Sequence, residues 1–262
     1  MQTPQQILTA ALNDLQANGY DSPERVEKWV RELSIAIERT GINNDEDLKQ
    51  SVRVALTPKL HNASSKAMRG MGVGRFTKAN LSPRLYNELD RRILASTALI
   101  KLNRTTAVNE TLQRFIGWST SIPAGGAKIT DKADVKQDIK KSLSQLNFIE
   151  RRVTIDQSSK LIANVNNIVA VDGGAVGVIW HSHWRQRNYD YREPHKELDG
   201  KIFLIRDSWA DKEGLLKGDY YEDLPDQFGQ AIFCQCYGTY IFRLNRLPAD
   251  MLTKKGLEYL KQ

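Results

Sequence analysis

The texture of the chain changes once, at Asp172-Gly173-Gly174, and this limits the possible folds more than any other feature. Before that turn, apolar residues recur at the three-to-four-residue spacing of one helix face. Ile7, Leu8, Leu12 and Leu15 form a first stripe, which Asn18-Gly19 ends. Ser22 can cap a second helix with Pro23 in its first turn, and Val26, Trp29, Val30, Leu33 and Ile37 supply its apolar face up to Gly41. A third spans Asn44 to Leu56, with Asp45, Glu46 and Asp47 where the helix dipole favours negative charge. Between Asn62 and Ser82, small and basic residues with Gly70, Gly72 and Gly74 at alternate positions predict a basic loop. Helix is expected again from Pro83 to about Trp118, from Asp131 to Phe148, and beyond Arg151 through Gln157, Leu161 and Val165.

After the turn, Val176–Trp180, Lys201–Ile205 and Tyr237–Phe242 are short β-branched or aromatic runs, the signature of strands. The expected class is α+β: a mainly helical N-terminal two thirds, then a small mixed α/β C-terminal module with short antiparallel strands. Pro123, Gly125 and Gly126 mark a break. The expected organisation is a helical docking region at 1–60, a basic loop and helices at 61–126, and a C-terminal domain at 127–262.

Charge is distributed unevenly. Residues 1–60 hold 7 basic and 9 acidic side chains, 61–160 hold 18 and 8, and 161–262 hold 13 and 14, so the net charge of +7 arises wholly in the middle. Such a concentration attracts polyanions by Coulomb attraction and counterion release, which makes nucleic acid the leading candidate partner, the alternatives being a solvated basic face or one that meets an acidic protein. The residues expected to face it are Lys66, Arg69, Arg75, Lys78, Arg91, Arg92, Lys136, Lys140 and Lys141. Their spacing around the glycines matches neither the P-loop nor the dinucleotide fingerprint. No run of about 18 apolar residues suggests a membrane span, and Met1 to Asp14 does not read as a secretory signal. Cys234 and Cys236 are too close for an unstrained disulfide, so reduced thiols or metal ligation are expected.

The most specific text begins at Trp180-His181-Ser182-His183. It continues through Arg192-Glu193-Pro194-His195-Lys196-Glu197-Leu198-Asp199-Gly200-Lys201-Ile202-Phe203 and ends at Cys234-Gln235-Cys236. With Arg151-Arg152 and Asp156-Gln157-x-x-Lys160-Leu161 upstream, it resembles the C-terminal signature of phage Mu F-like head morphogenesis proteins over about residues 150–244. The motif positions are Trp180, Arg192, His195, Leu198, Asp199, Gly200, Phe203, Cys234 and Cys236. The chain departs from the family pattern before Cys234, where Ala231-Ile232-Phe233 replaces His-Pro-Asn.

The resemblance implies a minor head protein of a tailed phage, located in the virion head interior or near the portal, and in the host cytoplasm during assembly. It implies binding to the portal or major capsid protein, through helix faces bearing Trp29, Val30 and Leu33, and non-specific contact with packaged double-stranded DNA through packaging and ejection. On this reading the chain is not an enzyme and needs no cofactor, or at most a structural zinc.

The residues also carry readings of their own. His195, Cys234 and Cys236 are donors suited to zinc, with His181 or His183 as a fourth ligand. Asp199-Gly200 suits a tight turn into the following strand, so the motif can serve as a folding framework around Trp180, His195 and Phe203. The alternative is a metal-dependent nuclease, or another nucleic-acid-processing enzyme, using His181, His183 and His195. No nucleophile elbow or zinc-protease helix motif accompanies them.

Overall fold

The computed structural model describes residues 2–19, 22–39, 45–70, 75–121 and 132–261. It is mainly helical, with one small antiparallel sheet near the C-terminus. Helices α1 (Pro4–Asn18), α2 (Pro23–Arg39), α3 (Asp45–Gly70), α4 (Arg75–Thr120) and α5 (Lys132–Asp172) precede β1 (Gly177–His181). Then come α6 (Glu193–Glu197), β2 (Ile202–Leu204), α7 (Trp209–Lys212), β3 (Tyr237–Ile241) and α8 (Lys254–Tyr259). No helix among the described residues is long and apolar enough to cross a membrane.

The chain forms two compact units, each discontinuous in sequence: residues 1–51 with 95–153, and residues 52–94 with 154–262. The boundary expected at residue 60 falls inside α3, and the break at Pro123–Gly126 lies outside the described residues.

In the first unit, Thr3 opens α1 with a capping box. Its hydroxyl accepts the Gln6 N–H while the Gln6 side chain accepts the Thr3 N–H at 2.8 Å. Gly19, at φ 88°, ends the helix. Ser22 caps α2 by accepting the Arg25 N–H, and the Trp29 indole donates to Asp14 at 2.6 Å, tying α2 to α1. Leu8, Leu12 and Leu15 meet Leu33, Ile37, Phe115 and Ile139 in one core. At about 1.5–3 kcal/mol per buried large apolar side chain, this is the unit's main source of stability. The expectation that Trp29, Val30 and Leu33 form an outward docking face is therefore corrected. Leu33 is 1% and Trp29 9% exposed, and Val30 packs against the same core.

In the second unit, α3 continues past Leu56 to Gly70, and α4 begins at Arg75 rather than Pro83. The basic loop expected at 62–82 is thus helical at 62–70 and 75–82, and the glycines at 72 and 74 lie outside the described residues. Pro58 costs α3 a backbone hydrogen bond, about 3 kcal/mol in a helix interior. Complete burial of Leu56 and Leu60 on either side, with Ala63, Ala67 and Met68 continuing the stripe, outweighs it. The two helices expected around Arg151 are one, α5. Arg84 pairs with Asp172, and Asn164 donates to Glu88 at 2.8 Å, fastening α4 to α5.

The strands order as β2-β1-β3, with Val178 opposite both Phe203 and Tyr240 and with Ile179 opposite Ile202 and Thr239. Side chains alternate faces along a strand. Val178, Trp180, Phe203 and Tyr240 accordingly join Ala163 and Ala170 of α5 in one core. Ile179, Ile202, Leu204 and Ile241 join Leu215, Leu244, Leu247 and Leu252 of the C-terminal segment in another. The sheet is covered on both faces, and the first of these cores holds the site.

Candidate metal centre

Cys234 and Cys236 begin as two thiols either side of a single residue. They can point the same way only if the preceding chain turns sharply, and it does so at Phe233, whose φ of 58° is left-handed. That conformation costs a bulky residue about 1–3 kcal/mol. Three side chains hold it. Asp156 of α5 accepts the Phe233 N–H at 2.6 Å, and Arg192 donates to the Ile232 carbonyl at 2.8 Å. Tyr189 donates to the Phe233 carbonyl at 3.3 Å and accepts the Gln235 N–H at 3.2 Å. Gly229 brings the same loop against α5, where a β-carbon would stand 3.2 Å from Lys160 Cα.

His195 arrives from α6, which Glu193 starts with Pro194 in its first turn and which Arg192 precedes. Its ring lies edge-on to Trp180 at 5.5 Å, and Trp180 in turn packs on Phe228 at 4.5 Å. Nδ1 of His195 stands 3.6 Å from the Cys234 sulfur and 3.5 Å from the Cys236 sulfur. The three donor atoms all lie within 4.8 Å of one another, and all three residues are buried. On the other side of the ring, Nε2 lies 3.3 Å from the half-exposed Asp226 carboxylate. A carboxylate there fixes the tautomer with a proton on Nε2 and the Nδ1 lone pair towards the sulfurs.

The surroundings of the sulfurs favour one negative charge on the pair, a thiolate at Cys234 beside a thiol at Cys236. Cys234 is pushed well below the usual thiol range, first by the hydrogen bond from the Cys236 thiol, against opposition from burial. The backbone N–H groups of Cys236 and Gly229, and then His195, add to the effect. Cys236 is held far above the usual thiol range, as the proton donor of the pair and then by burial. The side chains of Ser182 and Trp180 act in the opposite direction on it. The indole Nε1 of Trp180 and the hydroxyl of Ser182 are buried with no hydrogen-bond partner, and both are near enough to the Cys236 sulfur to favour its charged form.

The other motif residues build the frame. Phe203, Cys234 and Cys236 belong to the same core as Trp180, and Leu198 packs against it. Gly200, at φ 81°, turns the chain into β2 while its N–H donates to the Trp180 carbonyl at 2.8 Å. Asp199 accepts the Ser182 N–H and the Trp184 indole N–H, each at 2.9 Å.

His181 and His183 do not join His195. His181 follows Trp180 on β1 and so faces the opposite side of the sheet, where it bonds Thr239 at 2.9 Å and stacks on Tyr237 at 4.8 Å. His183 pairs with Gln186 at 3.1 Å and leans on the same tyrosine. Neither supplies the fourth ligand expected of it. Asp226, Asp156, Ser182 and Tyr189 were not among the expected site residues. Asp156 and Ser182 lay in text with a recognisable pattern; Asp226 and Tyr189 did not.

Of the expected DNA-facing residues, Lys66, Arg69 and Lys141 are exposed, and Lys136 and Lys140 are half-buried. Arg91 and Arg92 both pair with the buried Glu88 at 2.6 Å; Arg92 is mostly buried there, while Arg91 remains exposed. The side chains of Arg75 and Lys78 lie outside the described residues. Lys136, Lys140 and Lys141 belong to the first unit and the other six to the second.

No family model, curated protein or solved structure matches this chain.

Proposed function

We propose that this chain is a minor head protein of a tailed phage. On this reading it acts in head morphogenesis by binding the portal or inner capsid and by contacting packaged DNA. The observation that carries the reading is the convergence of the residues resembling the Mu F-like signature. Trp180, His195, Leu198, Phe203, Cys234 and Cys236 meet in one core. Asp156, from the upstream part of the resemblance, fixes the backbone of the residue before Cys234. Residues scattered over about 80 positions thus support one another's placement, as a folding framework requires. Recognition is left to surfaces elsewhere, with Lys66, Arg69 and Lys141 as the exposed cations for DNA.

A nuclease using the three histidines lacks comparable support, because the sheet separates His181 from His195 and both remaining ring partners are neutral side chains. The test is mass spectrometry of purified mature heads and procapsids from the phage that encodes the chain. The expected result is a few copies per particle that co-purify with portal or capsid protein. Absence from both kinds of particle overturns the assignment.

A further inference from the structure

We infer that His195 Nδ1, Cys234 Sγ and Cys236 Sγ form a binding site for a soft divalent cation of the zinc class, with the fourth position taken by water. Two thiolates and an imidazole select zinc over the hard cations magnesium and calcium, which take oxygen ligands. The three donor atoms already lie within 4.8 Å of one another and are buried, so the cation finds its ligands without rearrangement of the core.

Two independent features favour a cation over a plain cluster of thiols. The first is Asp226. Its carboxylate stands at Nε2 of His195, the nitrogen turned away from the sulfurs, which is where an outer carboxylate orients a ligating histidine and raises its basicity. The second is the pair of orphaned donors. Trp180 is wholly buried, yet its indole N–H and the Ser182 hydroxyl have no hydrogen-bond partner and lie near the Cys236 sulfur. A buried N–H without an acceptor carries an uncompensated desolvation cost. A metal-bound thiolate stays charged and accepts from both; a neutral thiol is a weak acceptor.

The fourth position follows from what the sheet does. His181 faces the opposite side of the sheet, His183 is paired with Gln186, and the ligand cluster among the described residues contains no further histidine, cysteine or carboxylate. The cation would therefore staple α6 to the Phe233 turn and, through Asp156, that turn to α5. This inference does not depend on the phage assignment.

Cobalt(II) titrated into the reduced full-length chain under anaerobic conditions tests it. One equivalent should bind, with charge-transfer absorption from cobalt–thiolate bonds and the intense ligand-field bands of a four-coordinate ion. Added imidazole should shift those bands by displacing the water. Asp226→Asn should keep the spectrum but weaken binding by about 10–100-fold, the usual effect of losing an outer-shell partner. His181→Ala and His183→Ala should change neither. Cys236→Ser should lose a thiolate band, and a matching fold is verified by circular dichroism. Should that variant misfold, the Asp226→Asn affinity on an intact fold decides the matter. Weak octahedral bands, a stoichiometry well below one, or equal affinity in Asp226→Asn would overturn the site. Loss of binding in His181→Ala would overturn its proposed ligand set.

Discussion

Replacing Gly238 with alanine should destabilise the C-terminal module, against the sign that backbone reasoning gives. Gly238 stands opposite Trp180 in the β1–β3 register. A glycine within a strand is less stable than alanine by about 0.5–1 kcal/mol, so the substitution alone would stabilise by that amount. A β-carbon at Gly238, however, would lie 2.5 Å from Phe228 Cε2, 2.5 Å from Val178 Cγ2 and 2.9 Å from Phe228 Cζ. Contacting carbons rest at about 3.5–4.0 Å, so relief needs a displacement of roughly 1 Å on two sides at once. Neither neighbour has room. The Phe228 ring is wedged 4.5 Å from Trp180 and 4.9 Å from Tyr221, and Val178 is wholly buried. Overpacking of this kind costs about 1–3 kcal/mol and exceeds the backbone gain, leaving a net loss of about 1–2 kcal/mol. Urea unfolding followed by tryptophan fluorescence measures the loss, and hydrogen exchange across Tyr237–Ile241 assigns it to β3. Adding Phe228→Leu removes the ring atoms that clash, so the double variant should cost less than the sum of the single ones by at least about 1 kcal/mol. A Gly238→Ala protein as stable as the parent, or costs that add within about 0.5 kcal/mol, would refute the reasoning.

Charge reversal at the exposed Lys66 and Arg69 together should flatten the dependence of log K for DNA on log salt by about 0.9 for each phosphate contact removed. Arg92→Met, whose guanidinium is spent on Glu88, should leave that slope unchanged; the opposite pattern would move the DNA surface elsewhere. The Ser182 N–H, the Trp184 indole and, more weakly, neighbouring cations hold the Asp199 carboxyl below its usual range despite some opposition from burial. Its contribution to stability is therefore present above the unfolded carboxyl's value of about 3.9 and is lost as pH falls through the lower folded value. The parent should be more stable than Asp199→Asn at pH 7, with the gap closing below about pH 4 in acid unfolding curves. A gap that is constant with pH would show that the charge is not what matters.

What was legible in the sequence is what depends on short-range pattern. The period-two runs around Val178, Phe203 and Tyr240 and the turn residues Gly174 and Gly200 locate the sheet to within a residue or two, because alternation and positive φ leave direct marks. Helix lengths were less legible. The third helix, expected to end at Leu56, runs on through Pro58 because Leu56 and Leu60 are buried, and burial is a tertiary fact that outweighs a local penalty. The core of the candidate site was legible as residue types, since His195, Cys234 and Cys236 are rare and chemically matched. Its second layer was not: Asp226 and Tyr189 are ordinary loop residues whose roles exist only once α6 and the Phe233 turn are brought together. The faces of Trp29 and Leu33 show the converse failure. An amphipathic stripe announces that something will cover it, and here that is α1 and segments more than 70 residues away rather than a partner.

The folding framework and the proposed metal centre are not rivals, because the same geometry can serve both. A framework of neutral thiols would leave the Trp180 indole and the Ser182 hydroxyl beside a poor acceptor in a dry core, a cost that an apolar residue at position 182 would avoid. It would also leave Asp226 beside a histidine with no reason to be oriented. A cation without the framework would find its two cysteines on a loop that must pass through a left-handed phenylalanine, a conformation the chain does not hold unaided. Asp156 accepting the Phe233 N–H is therefore the link between them. It is a helix residue that touches no ligand atom, yet it sets where both sulfurs point, and the upstream helix and the Cys-x-Cys pair belong to one structural unit because of it.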